Sequence, residues 1–294
     1  MNLKEALGKI MHSKAGYRVA VAAPNEDSIM EMLEEAVNAG LIKVWLVGDT
    51  ASITHSLEGR NLPEGSFTIV HAEHHEVAES ACKLVADGVC DILMKGNIHT
   101  DELLRAVIRG KLIDKGRRIS HVYAILRPDA SPIFISDPSI SIYPALNEKE
   151  QIIENAVELL HRIGYKKPRV AILSSVENIS DKIKSSQDAA ELTRLFSHRE
   201  DCVVSGPLGL DNAVSPLAAA KKKITGELAG NADVLIVPDL DSGNMLSKGL
   251  IYIAGMSAAG VLCGTKCPVV FTSRSAGKEE RMNTLCFACL IAQV

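Results

Sequence analysis

The sequence predicts an α/β protein. Short apolar runs of strand length alternate with stretches of helical periodicity, and polar residues collect where a run hands over to the next helix. The composition agrees. Hydrophobic residues make up 47% of the chain but aromatics only 4%, which suits a sheet and helices packed through Val, Ile, Leu and Ala. At 294 residues there is enough chain for two ordinary domains.

The elements follow in order. Leu3, Leu7, Ile10 and Met11 mark a short amphipathic helix. Arg18–Pro24 is a buried strand, followed by a helix that Asn25 or Asp27 can cap and Gly40 ends. Lys43–Gly48 and Phe67–Val70 are the next strands. A helix over Glu73–Asp87 leads to a fourth, Asp91–Met94, and then through Lys95-Gly96-Asn97-Ile98-His99-Thr100 to a helix over Asp101–Arg109. This rhythm implies a largely parallel sheet with right-handed crossovers.

Past Gly116 the pattern changes. His121–Leu126 and Pro132–Ser136 flank Arg-Pro-Asp-Ala-Ser, an antiparallel hairpin. Helix Glu148–Ile163, strand Pro168–Leu173, helix Ser186–Phe196, strand Cys202–Val204 and helix Ser215–Lys222 follow. The chain then runs through strand Val234–Val237, a polar loop Asp239–Asn244, a helix from Met245 to Val261, strand Pro268–Phe271, the tripeptide Thr272-Ser273-Arg274 and a last helix. The expected organisation is a discontinuous α/β domain I, 1–117 plus 264–294, and an α/β domain II, 118–263.

Several classes are disfavoured. A net charge of −4 gives no basic field for nucleic acid. Apolar windows fall short of the roughly 20 residues of a membrane span, and the first residues carry no secretory hydrophobic region. Seven cysteines, an odd number scattered through apolar segments, suit reduced thiols in a cytoplasm. Cys263, Cys267, Cys286 and Cys289 have zinc-like spacing, but the latter two lie in LCFACLIA, an apolar helix, and read as core thiols. His71, His74 and His75, beside Glu73 and Glu76, read as a solvated face, and no metal is expected. There is no G-x-G-x-x-G, Walker loop or G-x-S-x-G.

Four segments carry candidate chemistry, each at a strand's carboxyl end, where open α/β sheets bind ligands. In Lys95–Thr100, Gly96 allows close backbone approach and Thr100 can cap a helix whose N–H groups favour an anion; a plain turn with an ordinary cap explains the same residues. In Ser205–Asn212, Asp211 and Asn212 can cap a helix or bind ligand hydroxyl and amide groups. Gly243 and Asn244 end the Asp239 loop, and Lys248 lies at i, i+4 from Asn244, a pairing suited to phosphate or pyrophosphate; a solvated helix position explains Lys248 equally well. Thr272-Ser273-Arg274 is the sharpest signal: Arg274 can grip a phosphate bidentately, Ser273 can exchange a proton with a thiol, and Glu279 or Glu280 is a candidate base or orienting acid; a capping serine and surface charges are the plain alternative.

MKGNIHTDELLRAV, SSVENISDKIKSSQDAAEL, GPLGLDNAVSP and PDLDSGNMLSKGL, continuing to PVVFTSR, together resemble the phosphate acetyl/butyryltransferase family, the butyryl branch above all. The resemblance covers most of the chain from about residue 15, in order and spacing. It implies two α/β domains with a cleft between them, in the isocitrate/isopropylmalate dehydrogenase-like fold, and a homodimer or higher homo-oligomer. It implies the reversible reaction acyl-CoA + phosphate ⇌ acyl phosphate + CoA on a short or branched acyl chain, butyryl favoured over acetyl. No metal or cofactor is implied beyond CoA as substrate, and both substrates are held together in a ternary complex.

Mapped by motif, Ser273 and Arg274 fall on the family's catalytic pair, and its acidic position falls on Glu279 or Glu280. Lys95, His99 and Thr100 match the loop of the first domain facing the cleft, and Asn244 and Lys248 match the Gly-Asn…Lys block. Two positions depart from the family. Ala276 stands where the butyryl branch has an acid, and Ser141 where it has an asparagine. They motivate an alternative: a degenerate, non-catalytic paralogue that binds CoA or acyl phosphate as a sensor.

Overall fold

The computed structural model describes residues 3–128, 131–273 and 275–293. The chain divides into two compact units, Leu3–Arg117 together with Ala259–Val294, and Arg118–Ala258.

The first unit begins with helix α1 (Leu3–Met11), strand β1 (Tyr17–Ala22), α2 (Asp27–Asn38), β2 (Ile42–Gly48), α3 (Thr50–Leu57), β3 (Phe67–His71), α4 (Val77–Ala86), β4 (Ile92–Lys95) and α5 (Thr100–Arg109). Strand β1 pairs in parallel with β2 on one side and β4 on the other, and β2 pairs in parallel with β3. Val19, Val44, Leu46 and Ile92 are almost wholly buried, as expected for strands covered on both faces.

The second unit holds β5 (Ser120–Leu126), β6 (Ile133–Ser136), α6 (Leu146–Arg162), β7 (Arg169–Leu173), α7 (Lys184–Leu195), β8 (Val203–Leu208), α8 (Leu210–Val214), α9 (Pro216–Lys221), β9 (Val234–Ile236) and α10 (Leu240–Lys248), which runs on into a π-helical turn, Gly249–Ile253. Its strand order is β5-β6-β9-β7-β8. The β5–β6 pair is antiparallel, the hairpin expected from the sequence, and the remaining pairs are parallel. Ile135, Ala171 and Leu235 form the centre of its core.

Strand β10 (Ser257–Cys263) carries the chain back. It pairs antiparallel with β11 (Val269–Val270), which lies parallel to β4, so the first unit's order is β3-β2-β1-β4-β11-β10. The closing helix α11 (Lys278–Ala292) is apolar nearly all round and packs on α1, α2, β4 and β11. Cys286 and Cys289 lie buried in it, as core thiols. Among the described residues no helix is long and apolar enough to cross a membrane, and no group of three or more His, Cys, Asp or Glu side chains is placed to hold a metal ion.

The structure corrects several expectations. Asp239–Asn244 is not a loop: Asp239 is the N-cap of α10, its carboxylate accepting the Ser242 N–H at 2.9 Å, so the polar residues are a first helical turn. The helix expected over Met245–Val261 ends early, and its apolar second half is β10, because a short apolar run is ambiguous between helix and strand. Strand β8 continues through Ser205-Gly206-Pro207-Leu208, expected as loop; Gly206 is needed there because a Cβ would sit 2.7 Å from the Ile172 carbonyl oxygen. Helix α3 lies where the apolar pattern marks no element, and the cap position of α2 is Glu26, not Asn25 or Asp27.

Candidate active site

Strands β1, β4 and β11 are consecutive and parallel, so the loops leaving their carboxyl ends are neighbours. Met94 pairs with Val270, which brings Lys95 and the segment beginning at Phe271 side by side at the edge of the first unit. Lys95 is buried, with its Nζ 3.3 Å from the Gly96 carbonyl oxygen. A Cβ at Gly96 would lie 2.2 Å and 2.3 Å from the carbonyl oxygens of Ala23 and Ala22. The close approach that Gly96 permits is therefore to β1's own backbone. The cap of α5 is His99, whose N–H donates to the Glu102 carboxylate at 3.1 Å; Thr100, expected as the cap, is the first helical residue.

On the neighbouring loop Ser273 is half-buried, and its Oγ lies 2.9 Å from Ser275 Oγ. The Ser275 N–H also points at Ser273 Oγ, at 3.3 Å, and the Ala276 N–H donates to the Ser273 carbonyl, so the hydroxyl sits in a closed turn. Arg274 lies outside the described residues. Glu279 is exposed and Glu280 half-buried in the first turn of α11, where the helix dipole favours carboxylates. Ala276 places a buried methyl where the butyryl branch has an acid.

One residue that the sequence reading passed over organises this loop. Arg281 is 3% exposed. Its guanidinium donates to the Ala276 carbonyl at 3.2 Å, to Thr272 Oγ1 at 3.5 Å and to Glu26 Oε1 at 2.8 Å. A planar, five-donor cation thus ties both ends of the Ser273 turn to the segment after β1. The signal was present: a cation near a helix N-terminus opposes the dipole, and Arg281 shares the buried face of α11 with Thr284, Leu285 and Ala288.

The other candidates lie in the second unit. Asp211 and Asn212 belong to a network: Asn212 Nδ2 and Lys222 Nζ both donate to Glu177, and Lys222 lies 3.1 Å from Asp211. The hydrogen bond from Lys222 holds both the Glu177 and Asp211 carboxyls below their ordinary values. The cap of α9 is Ser215. Gly243 packs too closely for a side chain, since a Cβ would be 2.7 Å from Val237 Cγ2 and 2.9 Å from Pro138 Cα. Asn244 Nδ2 points at the Pro138 carbonyl at 3.4 Å, and Lys248 is exposed in the last turn of α10.

Pro138 belongs to a turn knotted by the buried Asp137, which accepts from the N–H groups of Ser139, Ile140 and Ser141 and from Ser141 Oγ at 2.8 Å. Burial pushes the Asp137 carboxyl up despite these donors. Ser141 therefore helps hold the turn on which Asn244 rests. At the carboxyl edge of the same sheet a cavity of about 780 Å³ opens among α6, α7, α10 and the ends of β7 and β9. Asp211, Asn212, Gly243, Asn244 and Lys248 are not among its lining residues.

Residues 77–289 match the family model described as phosphate acetyl/butaryl transferase. The chain is 36% identical to a probable phosphate butyryltransferase of Bacillus subtilis (strain 168), over 98% of this chain and 97% of that one. It is 38% identical to a phosphate acetyltransferase of Rhizobium meliloti, over 92% and 88%. A branched-chain phosphotransacylase from Enterococcus faecalis V583 superposes with a TM-score of 0.84 at 32% identity, over 94% of this chain and 99% of that one. The architecture is the isocitrate/isopropylmalate dehydrogenase-like fold, also shared with a 4-hydroxythreonine-4-phosphate dehydrogenase from Klebsiella pneumoniae at a TM-score of 0.61 and 12% identity over 95% of this chain and 100% of that one.

Proposed function

The chain belongs to the phosphate acetyl/butaryl transferase family and is a phosphate acyltransferase acting with CoA and phosphate, and we propose that it carries a short or branched acyl group, butyryl in preference to acetyl. Both substrates are bound before transfer, without an acyl-enzyme and without a cofactor other than CoA as substrate. The observation that carries this reading is the Ser273 turn, braced by Arg281 beside the buried Lys95 on adjacent parallel strands.

In the direction of thioester formation, Glu279 or Glu280 accepts the thiol proton, which free CoA holds with a pKa near ~8.5. The thiolate sulfur attacks the carbonyl carbon of the acyl phosphate, the bond from that carbon to the phosphate oxygen breaks, and phosphate leaves with the electron pair. Ser273 Oγ–H supports the charge developing on the carbonyl oxygen. Arg274, with Lys95, grips the phosphoryl group in both directions. Alignment of two bound substrates supplies most of the acceleration. His99, Thr100, Asp211, Asn212, Gly243, Asn244 and Lys248 shape the substrate-binding surfaces. The working form is a homodimer or larger homo-oligomer in a reducing, cytoplasmic setting, which its free cysteines suit.

The test is thioester absorbance on mixing the protein with CoA and acetyl, propionyl, butyryl and isobutyryl phosphates. Turnover should peak at butyryl or isobutyryl. Ser273→Ala should lower kcat by about 10²–10³-fold, and Arg274→Ala should raise the KM for acyl phosphate as well. A chain that binds CoA but forms no thioester from any donor would be the non-catalytic sensor.

A further inference from the structure

We propose that the outer face of α10, with the π-helical turn it runs into, is the contact surface for a second copy of this chain, the two helices crossing at Gly249. The proposal rests on the reading of the working form as a homo-oligomer and gives that assembly its surface.

The helix has two faces. Leu246, Leu250 and Ile251 pack inward on the core of the Arg118–Ala258 unit. On the other face Met245 and Ile253 are 67% and 89% exposed, with Tyr252 beside them at 57%. Met245, Gly249 and Ile253 follow at i, i+4 and i+8, which makes one stripe along the outer surface. Ile142, 62% exposed, is tied to the head of the helix, its carbonyl accepting the Leu240 N–H at 3.0 Å.

Nothing inside the chain calls for glycine at position 249. Gly243, earlier in the same helix, is needed because a Cβ would lie 2.7 Å from Val237 Cγ2. At Gly249, among the described residues, a Cβ would meet nothing within 4 Å. Its φ of −59° and ψ of −44° are ordinary right-handed helix, so no turn requires it either. Glycine weakens a helix relative to alanine. At the middle of an apolar stripe, the missing Cβ suits the close approach of a second backbone.

A second copy matches these features. Like surfaces meet about a two-fold axis, and the residue on that axis faces itself. With Gly249 there, two bare backbones meet, and Met245 of either copy lies against Ile253 of the other. No charge is set against its own image, since the neighbouring Lys248 points about 100° around the helix from Gly249. Met245, Tyr252, Ile253 and Ile142 expose on the order of 600 Å² per copy, which a two-fold contact doubles to about 1,200 Å², where specific interfaces begin. An anionic lipid surface is a poorer match, because the net charge is −4 and the stripe has no row of basic residues.

The experiment is sedimentation equilibrium of the full chain from nanomolar to tens of micromolar, with melting curves and thioester formation followed on the same samples. The natural chain should self-associate. Ile253→Asp should raise the dissociation constant about thirtyfold or more, the scale of a central interface residue. Gly249→Leu should do the same, although the monomer has room at the Cβ and gains a better helix former, so its melting temperature at monomer concentrations should hold or rise. Ile108→Asp, at an exposed apolar position on α5, should leave association unchanged. The proposal is overturned if the natural chain associates and both stripe variants associate equally well; the homo-oligomer reading then stands. A natural chain that is monomeric throughout overturns both. A natural chain that forms no thioester would sink the acyltransferase reading alone, because mass is measured without substrate.

Discussion

The two units end their parallel strands in opposite ways. At the edge of the first, backbone fills the space: the Gly96 loop lies against β1, and one buried guanidinium, Arg281, donates to three segments. At the edge of the second the space is left open, and one buried ammonium, Lys149, donates to Asp188 beside a cavity of about 780 Å³. The contrast separates two needs of a group-transfer site. Reacting side chains must be held within fractions of an ångström, which calls for over-determined loops, whereas a long substrate needs volume and a few unspent donors.

The largest effect that tests this contrast should come from Asp188→Asn. It leaves Lys149 buried without a counter-charge, and urea unfolding at neutral pH should show a loss of about 3–5 kcal/mol; a loss near zero would mean the triad is not a buried one. The pH dependence has a definite sign. Burial pushes the Asp188 carboxyl up, but hydrogen bonds from Lys149 and Lys184 outweigh it and leave the folded value low. Its stabilisation is therefore present above the unfolded value of about 4 and is lost as pH falls through the folded one. Asp137 has the opposite sign: burial holds its folded value high, so its stabilisation is full below the unfolded value and fades as pH rises through the folded value. Unfolding from pH 6 down to 3 should show the acid-side loss in the natural chain and a flatter profile in Asp188→Asn.

Next is Arg281→Met, which removes the bonds to Ala276, Thr272 and Glu26 at the sealed edge and touches no substrate in the proposed mechanism. Loosening the Ser273 turn should lower kcat about 10²-fold while CoA binding by calorimetry is kept. If kcat holds, Arg281 is no brace. Gly96→Ala drives a Cβ into two carbonyl oxygens and should cost about 1–3 kcal/mol, read as a lower urea midpoint. Smallest is Ser141→Ala, which deletes the one hydroxyl donor among several donors to Asp137. A loss of about 1 kcal/mol is expected by the same measurement, with the KM values shifting little if the remaining N–H bonds hold the Pro138 turn beneath Asn244.

Much of this was legible beforehand. Alternation of apolar runs and amphipathic stretches located β1, β2, β4, β7 and α6 to within a few residues, because burial against a two-faced sheet imposes that rhythm locally. The Thr272-Ser273-Arg274 turn and the Lys95 loop were likewise visible as polar residues at strand ends. The failures were local ambiguities. Met245–Val261 is apolar enough for either secondary structure, and pairing with β11 makes its second half a strand. The residues Asp239–Asn244 read equally well as loop or helical turn until the Asp239 cap is seen.

The sequence by itself determined the α/β class, the strand-end placement of Lys95 and Ser273, and, through its motif blocks, the family, because periodicity and contiguous motifs are carried by neighbours in the chain. Tertiary structure alone decided that Arg281 braces the Ser273 turn, that Lys149 and Lys184 share Asp188, and that the strands of the Arg118–Ala258 unit end on a cavity. Each of these joins residues brought together by long-range packing: Glu26 meets Arg281 from the far end of the chain, and Lys149 meets Asp188 across two helices. Hydrogen bonds and charge pairs of that kind depend on distance in space, about which spacing along the chain is silent.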